Sequence, residues 1–147
     1  MNELQEIWHT RPTVELIQSL CHNNLAGNLG LEFLEVGDDF LRARMPVDER
    51  TVQVFGILHG GASASLAETM GSIAGSFCVD VNKKYVVGLE INCNHVRSAR
   101  EGFVYGTARP IHLGGSTQIW DIRIVDEREK LVCISRLTLA VLEHKNE

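Results

Sequence analysis

The sequence predicts an α+β fold, with one long helix laid across the face of a mostly antiparallel sheet. Three observations point there. Strand-like stretches are grouped along the chain instead of alternating with helices, which disfavours a parallel α/β sheet. The longest helical stretch carries Leu66, Met70, Ile73 and Phe77 at helical spacing, an apolar stripe that needs a surface to lie on. Trp120, Ile122 and Ile124 alternate at period two, the mark of a strand with one buried face.

The elements follow in order. Thr10-Arg11-Pro12-Thr13 opens a short helix whose apolar positions are Val14, Ile17, Leu20 and Cys21. Asn23, Asn24, Gly27 and Asn28 read as a loop. Leu31 to Val36 and Phe40 to Pro46 form a hairpin through Gly37-Asp38-Asp39, with Leu41, Ala43 and Met45 buried and Arg42 and Arg44 wet. The long helix is expected from about Gly61 to Val79. Four strands close the chain: Tyr85 to Arg97, Phe103 to Arg109, Thr117 to Asp126 and Leu131 to Leu142. Pro12, Pro46 and Pro110 stand where elements begin or end.

Composition removes several function classes. The 147 residues suit one domain, and 14 Lys plus Arg against 19 Asp plus Glu give a net charge of −5, without the basic footprint of a nucleic-acid binder. No run approaches the ~20 apolar residues of a membrane span. The start, Met1-Asn2-Glu3-Leu4-Gln5-Glu6, carries acids where a secretory leader carries Lys or Arg. Cys21, Cys78, Cys93 and Cys133 are widely spaced with no CxxC pair, which suggests reduced thiols and a cytoplasmic protein.

The long helix has an unusual second face. At ~100° per residue, Gly61, Ala64, Glu68, Gly71, Ser72 and Gly75 lie away from the apolar stripe. A solvated face normally carries long, helix-favouring side chains, and each internal Gly costs ~1 kcal/mol against Ala. Something must therefore approach closely, either another backbone or a ligand. Among these small residues stands one carboxylate, Glu68, either at the rim of a packing face or placed for chemistry. His59-Gly60-Gly61 sits at the helix start, where free N–H groups and the dipole favour an anion or a developing oxyanion. Glu68, two turns on, is expected within reach of a substrate carbonyl held there.

The run Gln53-Val54-Phe55-Gly56-Ile57-Leu58-His59-Gly60-Gly61-Ala62-Ser63, followed by Leu66-Ala67-Glu68, resembles the signature of hotdog-fold acyl-CoA thioesterases whose carboxylate is a helix Glu. Met45-Pro46-Val47-Asp48, Val87-Gly88-Leu89-Glu90-Ile91-Asn92, Asn94 to Gly102 and Pro110-Ile111-His112-Leu113-Gly114 are similar too. The resemblance runs from Leu31 to Leu142, with residues 1–30 matched loosely, and it implies one hotdog domain over 1–147. Val81-Asn82-Lys83-Lys84 and Gly115-Ser116-Thr117 depart from the pattern.

The resemblance implies site residues as well. Glu68 would attack the thioester carbonyl or activate a water. The Gly60 N–H would polarise that carbonyl, while Gln53, His59 and Ser72 would help place the reacting groups. Gly88, the run His95, Val96, Arg97, Ser98, and the run His112, Leu113, Gly114, Gly115, Ser116 would contact coenzyme A. Arg97 and Arg100 suit phosphates as well as they suit a solvated loop. The expected substrate is an aromatic acyl-CoA, 1,4-dihydroxy-2-naphthoyl-CoA first, as in menaquinone biosynthesis. An aryl group on a carrier protein is the alternative. No cofactor and no metal is implied, the coenzyme A thioester being substrate. A homodimer or homotetramer is expected, with the site built across the dimer interface and with no nucleic-acid or membrane partner.

Other chemistries lack their residues. Gly61-Ala62-Ser63-Ala64-Ser65 misses the second glycine of a GxSxG elbow, and HExxH, GxGxxG and GxxxxGK[ST] do not occur. Two competitors remain within the same fold. A hydratase or dehydratase would ask for a His with a carboxylate over the acyl chain. A non-catalytic acyl-CoA binder would have no use for Gln53, His59, Gly60 and Glu68 together.

Overall fold

The computed structural model describes residues 6–145, so the start of the chain, on which the absence of a leader was read, lies outside them. Two short helices come first, α1 (Val14–Ser19) and α2 (Leu25–Asn28). Thr13 caps α1 by accepting from the Leu16 N–H at 3.1 Å. α2 is a correction to the predicted loop: the Asn24 side chain accepts from the Gly27 N–H and closes one helical turn, too short to leave a period.

The strands β1 (Glu32–Val36) and β2 (Leu41–Pro46) form the expected hairpin. After the long helix α3 (Gly60–Phe77) come β3 (Lys84–His95), β4 (Phe103–Leu113), β5 (Thr117–Val125) and β6 (Leu131–Glu143). All six strands pair antiparallel in the order β1-β2-β4-β5-β6-β3, which leaves β1 and β3 as edges. α3 lies across one face, and the predicted hotdog arrangement is what the chain adopts. Leu41, Ala43 and Met45 are fully buried, while Arg42 and Arg44 lie on the other face over the rings of Tyr105 and Phe103. No helix of the described residues is long and apolar enough to cross a membrane.

The boundaries of β4 and α3 differ from expectation. β4 runs through Pro110 to Leu113, and Pro110 does not end it. The missing N–H is accommodated at a bulge between Pro110 and His112, where Ile111 turns out to solvent. α3 runs from Gly60, one residue earlier than expected, and stops at Phe77 with Cys78 as its cap.

The small face of α3 also divides. Leu66, Met70, Ala67 and Ala74 are buried, as are Gly71 and Gly75. A Cβ on Gly71 would lie 2.5 Å from Leu137 Cδ2, and one on Gly75 would lie 2.5 Å from Gln118 Oε1 and 2.6 Å from Leu139 Cδ1. What approaches these two glycines is the protein's own sheet, not a ligand. Gln118 is buried there with both ends used: it accepts from Trp120 Nε1–H at 3.0 Å and donates to the Gly75 carbonyl at 3.2 Å. The outward arc of α3 is therefore Gly61, Ser65, Glu68, Thr69, Ser72 and Ser76.

Candidate active site

The start of α3 is held by its approach. The Leu58 N–H donates to the Ala99 carbonyl and the His59 N–H to the Thr51 carbonyl, each at 2.8 Å, next to a bridge between Val52 and Leu58. The imidazole of His59 then caps the helix, Nδ1 accepting from the Gly61 N–H at 2.7 Å. The Ala62 and Ser63 N–H groups donate to the His59 carbonyl at 3.0 and 3.2 Å. Of the N–H groups that open α3, only that of Gly60 has no acceptor among the described residues. One donor, fixed by the helix and backed by its dipole, is left for an outside oxygen.

That donor opens onto a cavity of about 400 Å³ lined by Gln53, Gly60, His95, Val96, Arg97 and Ser98. Gln53 begins a tight turn in which its N–H donates to the Ile57 carbonyl and its own carbonyl accepts from Gly56, both at 2.9 Å. Gly56 has φ +74°, the left-handed region a Cβ resists. The Gln53 side-chain oxygen accepts from the Phe55 N–H, which aims its amide. His95 ends β3 with its ring against Gly60: a Cβ on Gly60 would sit 2.8 Å from Nε2. The Val96 and Arg97 N–H groups share the Val132 carbonyl, at 2.9 and 3.3 Å, and so fix the segment that follows. The walls also include Ile57, Leu58, Ser63 and Val132, which sequence reasoning missed because they come from separate elements and share no period.

Glu68 is exposed on the outward arc, and no hydrogen bond or ion pair among the described residues ends on its carboxylate. On the same arc the hydroxyls of Ser65, one turn before it, and Ser76, two turns after it, donate to the carbonyls of Gly61 and Ser72, each at 2.8 Å. Ser72 is half-buried one turn further on. Glu68 Oε1 lies beside Gly88 of β3, 2.9 Å from where a Cβ would be.

The structure does not gather all the predicted residues in one chain. Glu68 stands eight positions after Gly60 on α3, about 12 Å along the axis at 1.5 Å per residue. A carbonyl held by the Gly60 N–H is therefore beyond the reach of the same chain's Glu68, a correction to the reach expected from the helix pattern. The His59 ring faces a different cleft, with Leu25, Leu29 and Arg50. His112, Leu113, Gly114, Gly115 and Ser116 lie at the end of β4 and in the turn to β5. There Gly114 borders Val79 and Lys83, beyond the C-terminus of α3 and roughly 27 Å along the helix from Gly60.

The ionisable groups narrow the chemistry. Burial pushes the thiols of Cys78 and Cys133 up to about 12, so neither is a thiolate at neutral pH. Asp126 is held below the usual carboxylate range by the Lys130 N–H first, with Arg97 among the contributing charges. Among the described residues, no three His, Cys, Asp or Glu side chains converge as metal ligands.

Comparison with known proteins places the chain in a family. The thioesterase superfamily model matches residues 55–133. The 1,4-dihydroxy-2-naphthoyl-CoA hydrolase of Escherichia coli (strain K12) is 54% identical over 136 residues, which is 92% of this chain and 99% of that protein. The proofreading thioesterase EntH of Cronobacter turicensis is 46% identical over 92% of this chain and 98% of its own length. Among solved structures, thioesterase HI1161 of Haemophilus influenzae superposes with a TM-score of 0.90 at 50% identity, covering 93% of this chain and 95% of that one. A mutant of thioesterase PA1618 from Pseudomonas aeruginosa gives 0.93 at 46% identity, covering 95% and 100%. On these matches and this fold, the chain is a hydrolase of thioester bonds and belongs to the thioesterase superfamily.

Proposed function

We propose that this chain hydrolyses acyl-CoA thioesters, aromatic ones by preference, in sites shared between two copies. The unpaired Gly60 N–H over a cavity bordered by Gln53 and His95 carries this reading. A thioester carbonyl accepts from that N–H, and the negative charge that grows on its oxygen is stabilised by a few kcal/mol. Glu68 either adds to the acyl carbon or takes a proton from an attacking water. The C–S bond breaks and the thiolate leaves and is protonated; on the water route the acid forms directly, and on the nucleophile route a water then hydrolyses the acyl–Glu68 anhydride, so that both end in an acid and free coenzyme A. The thioester is substrate, and this scheme draws on no cofactor or metal.

Two copies are needed because one chain keeps Gly60 and Glu68 apart. β3 is an edge strand with Tyr85, Val87 and Leu89 exposed, an open ladder that a second copy can complete. Antiparallel pairing of two β3 strands about an axis between Ile91 and Asn92 sets Gly88 opposite His95 of the partner subunit. Glu68, beside Gly88, then meets Gly60 of the partner subunit. The same register brings Arg97 of the partner subunit level with Val86. Val86 pairs with Val141, whose N–H donates to the Ser116 carbonyl at 2.9 Å. The two segments expected to bind coenzyme A then border one cleft, and Arg97 and Arg100 suit its phosphates. Pairing of such dimers gives the proposed tetramer, and four free thiols suit a reducing, cytoplasmic setting.

The aromatic preference rests on the outward arc of α3, where Ser65, Thr69 and Ser72 leave room beside Glu68 for a flat ring. The name of the Escherichia coli relative supports a 1,4-dihydroxy-2-naphthoyl group; that of EntH supports a proofreading role as the second reading. Thiol release measured over a panel of coenzyme A and carrier-protein thioesters tests both. Naphthoyl- and benzoyl-CoA are expected to give the highest kcat/KM. A preference for long aliphatic chains would refute the aromatic site, and failure to release thiol from any acyl-CoA would refute the reading as a whole.

A further inference from the structure

The inward row of β3 has a gap. Val86, Ile91 and Cys93 are half-buried and pack against the core, and between Val86 and Ile91 the inward position is Gly88. A bulge follows at once: Gly88 pairs with Leu139 and Glu90 with Thr138, so Leu89 is the extra residue and turns out to solvent. The bulge leaves a notch at the open edge of the sheet. Glu68 Oε1 occupies it, 2.9 Å from where a Gly88 Cβ would stand. The backbone of Gly88 is not in the left-handed region, so its conformation alone does not require glycine there.

We infer that Gly88 is a positioning residue for the reaction: its missing side chain lets the Glu68 carboxylate rest on the edge strand, aimed out of its own chain. This differs from the coenzyme A contact that resemblance implies for Gly88, and it rests on the reading of Glu68 as the reacting carboxylate. The collision that a methyl group would cause is with the far end of a flexible, exposed side chain. A Cβ at 88 therefore costs the fold little but moves the carboxylate by a few tenths of an ångström, a displacement worth about tenfold in rate.

Steady-state kinetics of Gly88→Ala test this. The expected result is a fall in kcat of about tenfold, with KM within about twofold and the melting temperature within about 2 °C of the parent. An unchanged kcat with a raised KM would make Gly88 a substrate contact and overturn the inference. A second variant guards against indirect damage. Glu68→Asp shortens the side chain away from the new methyl group, so Gly88→Ala with Glu68→Asp is expected to be no slower than Glu68→Asp alone. Losses that multiply in the double variant would overturn the inference too. Glu68→Gln separates the two readings. If it is inactive while Gly88→Ala is fully active, only the role of Gly88 falls; if it is active, the role of Glu68 falls with it.

Discussion

Replacing Glu68 with Gln is expected to lower turnover by about 10³-fold while binding of coenzyme A thioesters survives. The amide keeps the shape and removes both the base and the nucleophile. The side chain is exposed and unpaired, so little stability is at stake and the folded fraction should not change. The thiols of Cys78 and Cys133 are held near 12 and the His59 ring is committed to capping α3, which leaves His95 as the one other candidate base beside Gly60 among the described residues. Stopped-time thiol release with a calorimetric binding arm gives both numbers. Turnover near the parent value would move the role to another group, His95 beside Gly60 first.

The second large effect is expected from Gly60→Pro. Proline at the first position of a helix is tolerated, because its missing N–H has no partner inside the helix. His59 has φ −70° and ψ 131°, the extended conformation that a residue before proline adopts. The substitution therefore removes the one unpaired N–H and leaves α3 intact. Both Gly60→Ala and Gly60→Pro add a Cβ against His95, but only Pro removes the donor. The proline variant is expected to be roughly 10²- to 10³-fold slower than the alanine variant. Equal rates for the two would show that the backbone donor contributes nothing to catalysis.

The order of elements was legible because its signals are local. The β1–β2 hairpin announces itself through Leu41, Ala43 and Met45 alternating with two arginines, and β5 through Trp120, Ile122 and Ile124. The bulge at Pro110 was not legible, since proline reads as a terminator until a neighbouring strand is seen to absorb it. A helical wheel picked out Gly71 and Gly75 as small but could not say what approaches them; the answer, Leu137, Leu139 and Gln118, comes from strands over forty residues away. Histidine is an uncommon helix cap, so the pattern of residues did not announce that His59 holds Gly61. The helix pattern made the site legible as a set of residues but not as an arrangement, which only the resemblance implied. A wheel gives angle and hides distance along the axis, and the ~12 Å between Gly60 and Glu68 follows only once the rise per residue is applied.

That separation makes a mixing experiment the most direct test of a shared site. Glu68→Gln and Gly60→Pro copies are each expected to be nearly inactive. Co-expressed in equal amounts and purified together, they should regain about a quarter of the parent activity, because half of the dimers then hold one site with an intact Gly60 and an intact Glu68. Activity that stays at the mean of the two inactive parents would contradict the account, since Gly60 and Glu68 would then not meet across two copies.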